Sequence, residues 1–353
     1  MGRFLIYFSY LGTRYSGVQR QNALIKGAPI LTVEGALQAA LQRLRPKNDF
    51  KIVLSSRTDS GVHAFKNSCH VDLTYPYGEK EYDPSFITDV ANFYLKAKHE
   101  DVRVVETRQV PDSFHSRFMA TGRKYVYRFA HAMTSNPVQN IKPKLEEFKK
   151  FKFRNKAGYP LRSMGDNVPF LELGKLLVVS QHIDIDMLMS AAEMLSGIHN
   201  FTSFSTNMSH NSYQPHPVKL LTIGVKRGQP LCTPLFHSKE LEFWEIHVQS
   251  KSFLYRQVRR LVGAMMLVGK GKMTLEVLQD ILENPQSNFD LSSQMSVSEC
   301  GLYLLEVNYD PKVLELNSAE QSTATWNSTE EYESSDEDDA IVQVSEVNES
   351  PGS

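Results

Sequence analysis

Arg57-Thr58-Asp59-Ser60-Gly61 places a guanidinium, a carboxylate and a tight-turn glycine within one short stretch. The apolar run Ile52-Val53-Leu54 before it reads as a buried strand, so the carboxylate falls where a strand ends in a polar turn. A cation two positions away favours the ionised form, and an ionised carboxylate can act as a nucleophile. Taken alone, Asp-Ser-Gly after a strand is also an ordinary Asx turn. The pattern also fits an aspartic protease, whose chemistry needs two carboxylates sharing a proton. No second Asp-Thr/Ser-Gly occurs, so a protease would have to be a symmetric dimer, and Arg57 would oppose proton sharing.

Two further stretches hold residue types that could serve an anionic, aromatic substrate. Arg123-Lys124-Tyr125-Val126-Tyr127-Arg128-Phe129 alternates as a strand does, with Tyr125, Tyr127 and Phe129 on one face. That is either a half-buried strand or a strand whose Tyr125 face meets a flipped base while the basic face meets phosphate. The pattern over 252–269 predicts a helix with Leu254, Val258, Leu261, Val262 and Met265 on its apolar side. Arg259 lies about 115° from the centre of that side. From this border an Arg can lean into a cleft, and if buried it needs a carboxylate partner. Arg256 and Arg260 fall further round, as a solvated basic face suited to RNA phosphate. His63, His115, His199 and His216 could do acid–base or metal duty, but none has ligand spacing with another His or Cys, so no metal is expected. Gly263, Gly269 and Gly271 miss the phosphate-loop pattern because Gly271-Lys272 is followed by Met273.

Mixed elements must position these groups. Strands are expected over 3–10, 51–54, 67–73, 102–110, 123–129, 219–226, 241–249 and 302–307. Thr32 is a helix N-cap ahead of Val33, Leu37, Leu41 and Leu44, with Pro46 closing the region. A second helix follows Pro84 and carries Phe86, Val90, Phe93 and Tyr94; others span 184–196 and 275–282. The Lys-rich stretch 134–180 reads as a surface insertion. A strand–helix–strand–strand succession recurs in the second half, which predicts two related αβ lobes.

Composition bounds the function. A chain of 353 residues, 41% hydrophobic, has room for a sizeable core. Cys69, Cys232 and Cys300 form no pairable pattern, which points to a reducing compartment. With no long apolar run and no readable targeting segment, an intracellular protein is expected, its compartment (mitochondrial, nuclear or cytoplasmic) left open. Ten of the 40 acidic residues lie in 318–353, which has no Lys or Arg; the rest carries 39 basic against 30 acidic. A basic body suggests a polyanionic partner, and the acidic tail reads as disordered.

The stretch Arg57-Thr58-Asp59-Ser60-Gly61-Val62-His63-Ala64 resembles the signature of the TruA family of tRNA pseudouridine synthases. The resemblance recurs in order at 10–21, 112–118, 121–127, 197–204, 253–263 and 301–304, so it covers roughly 3–309. It implies an α+β pseudouridine synthase fold, two αβ lobes joining mainly antiparallel sheets around a basic cleft, and a homodimer. The N-terminal lobe would be 1–112 with the Asp loop, the C-terminal lobe 113–313 with the 134–180 insertion, and 314–353 the tail. It also implies cofactor-free isomerisation of uridine to pseudouridine in RNA, tRNA above all. Asp59 would be the nucleophile. Tyr125 would stack on the uracil and help remove the C5 proton. Arg57 and Arg259 would pair with Asp59, and the Leu302 region would line the pocket. His63, His115, Arg117, Arg123, Lys124, Arg256 and Arg260 are candidate RNA contacts. Val18 stands where many members have Trp, and Ser60 replaces Ala. The competing expectation is a catalytically idle RNA-binding or chaperone protein on the same scaffold.

Overall fold

The computed structural model describes residues 1–21, 30–132, 168–179, 181–205, 217–231, 241–284 and 295–316, with the backbone of 24–25 and 28–29. Its strands are β1 (Gly2–Tyr10), a short hairpin β2 (Leu24–Ile25) and β3 (Ala28–Pro29), β4 (Val53–Leu54), β5 (His63–Leu73), β6 (Val102–Val110), β7 (Ala120–Ala132), β8 (Leu177–Val179), β9 (Gly197–Asn200), β10 (Val218–Arg227), β11 (Leu241–Ser250) and β12 (Leu302–Tyr309). Its α-helices are α1 (Val33–Leu41), α2 (Pro84–Ala97), α3 (Ile185–Leu195), α4 (Gln257–Gly269) and α5 (Leu275–Glu283).

One large, mainly antiparallel sheet runs in the order β6-β1-β5-β12-β7-β11-β10-β9, with β4 on β5 and β8 on β7. In the first half β1 lies between β5 and β6. In the second, β7 lies between β11 and β12. The halves meet where β12 pairs in parallel with β5, Tyr303 opposite His63 and Leu304 opposite Ala64. The strand leaving the Asp59 turn is therefore tied to the last strand of the sheet.

The period of two in β1 decides its faces. Phe4, Ile6, Phe8 and Tyr10 join the main core, to which each of these helices contributes, while Leu5 and Tyr7 pack on the other face with Val110 and Phe114. Side-chain caps start four of the helices: Thr32 Oγ1 accepts from Gly35 N, Asp83 from Ser85 and Phe86, Asp184 from Met187 and Thr274 from Val277. On α2 the buried residues are Ile87, Ala91 and Leu95, and Phe86 and Phe93 are exposed.

Helix α4 differs from the sequence expectation. It starts at Gln257, not 252, because Arg256 takes a left-handed conformation (φ 58°) and offers no side-chain cap. Gln257 Oε1 instead accepts from Leu254 N at 2.8 Å. Leu254 matched the helical period but is buried in the lead-in loop. Within α4, Gly263 lets a neighbouring segment come close, since a Cβ there would lie 1.3 Å from Met295 O. The far end of the 134–180 stretch also departs from a surface insertion: β8 pairs in parallel with β7, and Glu172 is buried. Residues 134–167 and 180 of that stretch, Cys232, His216 and residues 317–353 lie outside the described residues. No helix among the described residues is long and apolar enough to cross a membrane.

Candidate active site

The Asp59 turn links β4 to β5, and the loop after β1 clasps it. Val18 N donates to Thr58 O at 3.2 Å, and Gly61 N and Ser60 Oγ donate to Tyr15 O, each at 3.3 Å. Gly61 has φ +80°, which a residue with a side chain rarely adopts. Thr58 points inward, its Oγ1 2.8 Å from Tyr10 Oη. Behind it Asn67 Nδ2 donates to Ser56 O and to Tyr10 Oη, both at 3.2 Å, and Ser55 Oγ donates to Asn67 Oδ1 at 3.1 Å. This buried polar network holds the backbone on which Asp59 sits, and its donors and acceptors satisfy one another.

Asp59 itself is half-buried. Its Oδ2 lies 3.8 Å from Arg259 Nη1 and 4.0 Å from Arg256 Nε. Arg259 also donates from Nε to Val297 O at 2.8 Å and from Nη2 to Glu299 Oε2 at 3.0 Å. The border position on α4 thus leans into the site and finds two carboxylates. Burial raises the Asp59 carboxyl above its ordinary range; Arg259 and Arg256 pull it down, and Glu299 pushes it up. The balance is upward, so the guanidiniums offset desolvation only in part.

Arg57 is a correction. It is exposed, and the ion pairs of Asp59 among the described residues are with Arg259 and Arg256. The turn sends Thr58 into the core, and its neighbour outward. Arg256, read as a solvated residue, instead reaches the carboxylate from its left-handed position ahead of α4.

Tyr125 lies on β7 between Val248 of β11 and Leu304 of β12. It is buried, edge-on to Phe253 with centroids 5.2 Å apart. Burial pushes its phenol pKa up, and Asp59 adds to that push from nearby. Leu302 is buried two residues before Leu304 and pairs with Tyr127.

Three of the expected RNA contacts are not on the surface. His63 is fully buried, accepts from Gly12 N at 3.1 Å and stacks on Tyr303 with centroids 4.6 Å apart. Burial pushes it down to about 4, so it is neutral at physiological pH. Arg260 is buried and donates to Ser205 O at 2.5 Å. Arg123 is buried and donates to Ser55 O, Ser56 Oγ, Arg117 O and Lys251 O. It ties the stem of the Asp59 turn to the lead-in of α4. The basic face of β7 is also less open than its alternation suggests, because Arg128 is buried in an ion pair with Glu172.

The other candidates remain accessible. Arg117 is exposed, and His115 Nδ1 accepts from its backbone N at 3.2 Å. Lys124 is partly exposed and pairs with Glu306 at 2.6 Å. His199 is half-buried, its Nε2 2.8 Å from Ser196 O. Among the described residues no three His, Cys, Asp or Glu converge to hold a metal ion. Glu299 escaped the sequence reading: it adjoins the recognised Gly301–Leu304 stretch, but no spacing links it to Arg259.

A family model described as tRNA pseudouridine synthase matches residues 191–310. The chain belongs to the tRNA pseudouridine synthase family. It is 32% identical over 323 residues to tRNA pseudouridine synthase-like 1 of Xenopus laevis, covering 91% of this chain and 95% of that protein. The Homo sapiens protein of that name is 31% identical over 312 residues, covering 87% and 90%. tRNA pseudouridine synthase A of Ruegeria sp. (strain TM1040) is 30% identical over 284 residues, covering 80% and 87%.

Proposed function

We propose that this protein isomerises uridine to pseudouridine in tRNA with Asp59 as nucleophile and without a cofactor. The N1–C1′ bond breaks and a C5–C1′ bond forms; the C5 proton is lost and N1 gains one, so the product is an isomer. Family membership supports the reaction class. The observation that carries the chemistry is the half-buried Asp59 carboxylate with Arg259 Nη1 at 3.8 Å and Arg256 Nε at 4.0 Å. Those distances give charge stabilisation yet leave the oxygens open to react. Tyr125 is read as the surface against which the target uracil stacks; a phenol kept neutral by burial suits that role better than proton abstraction. Arg57 is assigned to the RNA rather than to the carboxylate, with His115, Arg117, Lys124 and Arg256 as further contacts.

We read the sheet as two related lobes, 1–112 and 113–313, meeting at the β5–β12 pairing, with the cleft for RNA between them and 314–353 as a tail. Its similarity to the TruA family supports a homodimer. The deciding experiment incubates purified protein with unmodified tRNA and maps pseudouridine. Wild type forms it and Asp59→Ala does not, while RNA binding persists in both. RNA binding without pseudouridine in wild type would make the protein an RNA binder on this scaffold.

A further inference from the structure

We propose that Glu299 is a positioning residue for this reaction: it takes one amino group of Arg259 so that the other faces Asp59 without capping it. The inference rests on the reading of Asp59 as nucleophile. A guanidinium is a rigid planar fork, so fixing two of its edges aims the third. Here Nε donates to Val297 O at 2.8 Å and Nη2 to Glu299 Oε2 at 3.0 Å. Nη1 is left toward Asp59 at 3.8 Å. The tighter carboxylate partner of Arg259 is therefore Glu299. A nucleophilic carboxylate gripped at both oxygens by a guanidinium would have its lone pairs occupied. With Glu299 engaging the far amino group, Asp59 keeps the charge and its oxygens stay available.

The segment carrying Glu299 is built to hold it there. Met295 O lies against Gly263 of α4, and Val297 N donates to Arg259 O at 3.3 Å. Tyr127 Oη donates to Ser298 O at 2.8 Å. The Glu299 stem crosses the Asp59 turn, since a Cβ on Gly61 would lie 2.5 Å from Glu299 Cγ. Gly61 therefore serves two needs at once, the positive φ of the turn and room for this carboxylate. Among the described residues the charged and titratable groups facing Asp59 are Arg256 and Arg259 from α4 and its lead-in, Glu299 from the turn before β12, and Tyr125 from β7.

Three measurements test it: single-turnover rate at saturating tRNA, tRNA affinity, and the acid limb of the rate profile, for Glu299→Ala and Glu299→Gln. In Glu299→Ala the rate falls roughly tenfold or more while affinity stays within about twofold, because a misaimed guanidinium costs the chemical step. Glu299→Gln keeps an acceptor for Nη2 and recovers most of that rate. In both, loss of the neighbouring negative charge moves the acid limb to lower pH. Wild-type rate and acid limb in Glu299→Ala would overturn the proposal. So would equal losses in the two variants with the acid limb unmoved. If Glu299→Ala fails to fold, the Gln variant still reads the limb. An NMR titration of the Asp59 carboxyl, wild type against Glu299→Gln, reads the same coupling without turnover. Failure of wild type to make pseudouridine therefore remains distinct from failure of the Glu299 inference.

Discussion

Two of the molecule's Arg–carboxylate pairs are made on opposite terms. Arg128 and Glu172 are bidentate at 2.8 and 2.9 Å, with side chains 8% and 0% exposed. Glu172 Oε1 also accepts from Leu231 N, and Arg128 donates to Gln229 O. That pair fastens the 168–179 segment to β7. Asp59 and Arg259 stand 3.8 Å apart with side chains 23% and 13% exposed, too far for a hydrogen bond, and Arg259 is shared with Glu299. A closed pair fixes an architecture once both charges are buried together, because separating them would leave a buried charge alone. An open one keeps a reactive oxygen, and burial then raises that group's pKa.

Breaking each pair should fail in a different way. The largest effect on turnover is expected from Asp59→Ala, which should take pseudouridine formation below detection by mapping without lowering the unfolding midpoint in denaturant. Next, Glu172→Ala should cost about 3–5 kcal/mol in the same denaturation assay, because it leaves the Arg128 charge buried alone. Arg259→Lys should lower the single-turnover rate by roughly 10²-fold, since a point charge cannot serve Val297, Glu299 and Asp59 in one plane.

The smallest effect concerns pH. A folded carboxyl raised above its unfolded value favours folding when protonated, so its ionisation costs stability at neutral pH. Asp59→Asn should therefore raise the thermal midpoint at pH 7. The gain should vanish below pH ~4, where the unfolded carboxyl is protonated too. A midpoint lower than wild type at pH 7 would show that the arginines outweigh desolvation and that the two pairs are alike.

Local signals made much of this legible. Thr32 capped α1 where expected, with Oγ1 3.2 Å from Gly35 N. The strand at Val102–Val110 had the boundaries read from its pattern. The border position of Arg259 on an amphipathic helix was enough to expect a carboxylate partner. The errors share a cause. Arg123 and Arg260 look like surface cations because Arg usually is one, yet each is buried where backbone carbonyls from distant segments converge. Leu254 fitted the helical period because a buried loop residue satisfies the same hydrophobic requirement.

By itself the sequence determined the turn that carries Asp59, the strands on either side of it and the basic-aromatic strand with Tyr125. Each rests on residue types a few positions apart, where turn geometry and side-chain period act directly. Only the tertiary structure decided which cations face Asp59. Arg57, two residues away, turns outward, whereas Arg256 and Arg259 arrive from another part of the chain and Glu299 from the turn before β12. Charges interact through space, and the join between β5 and β12 sets the distances that sequence separation cannot.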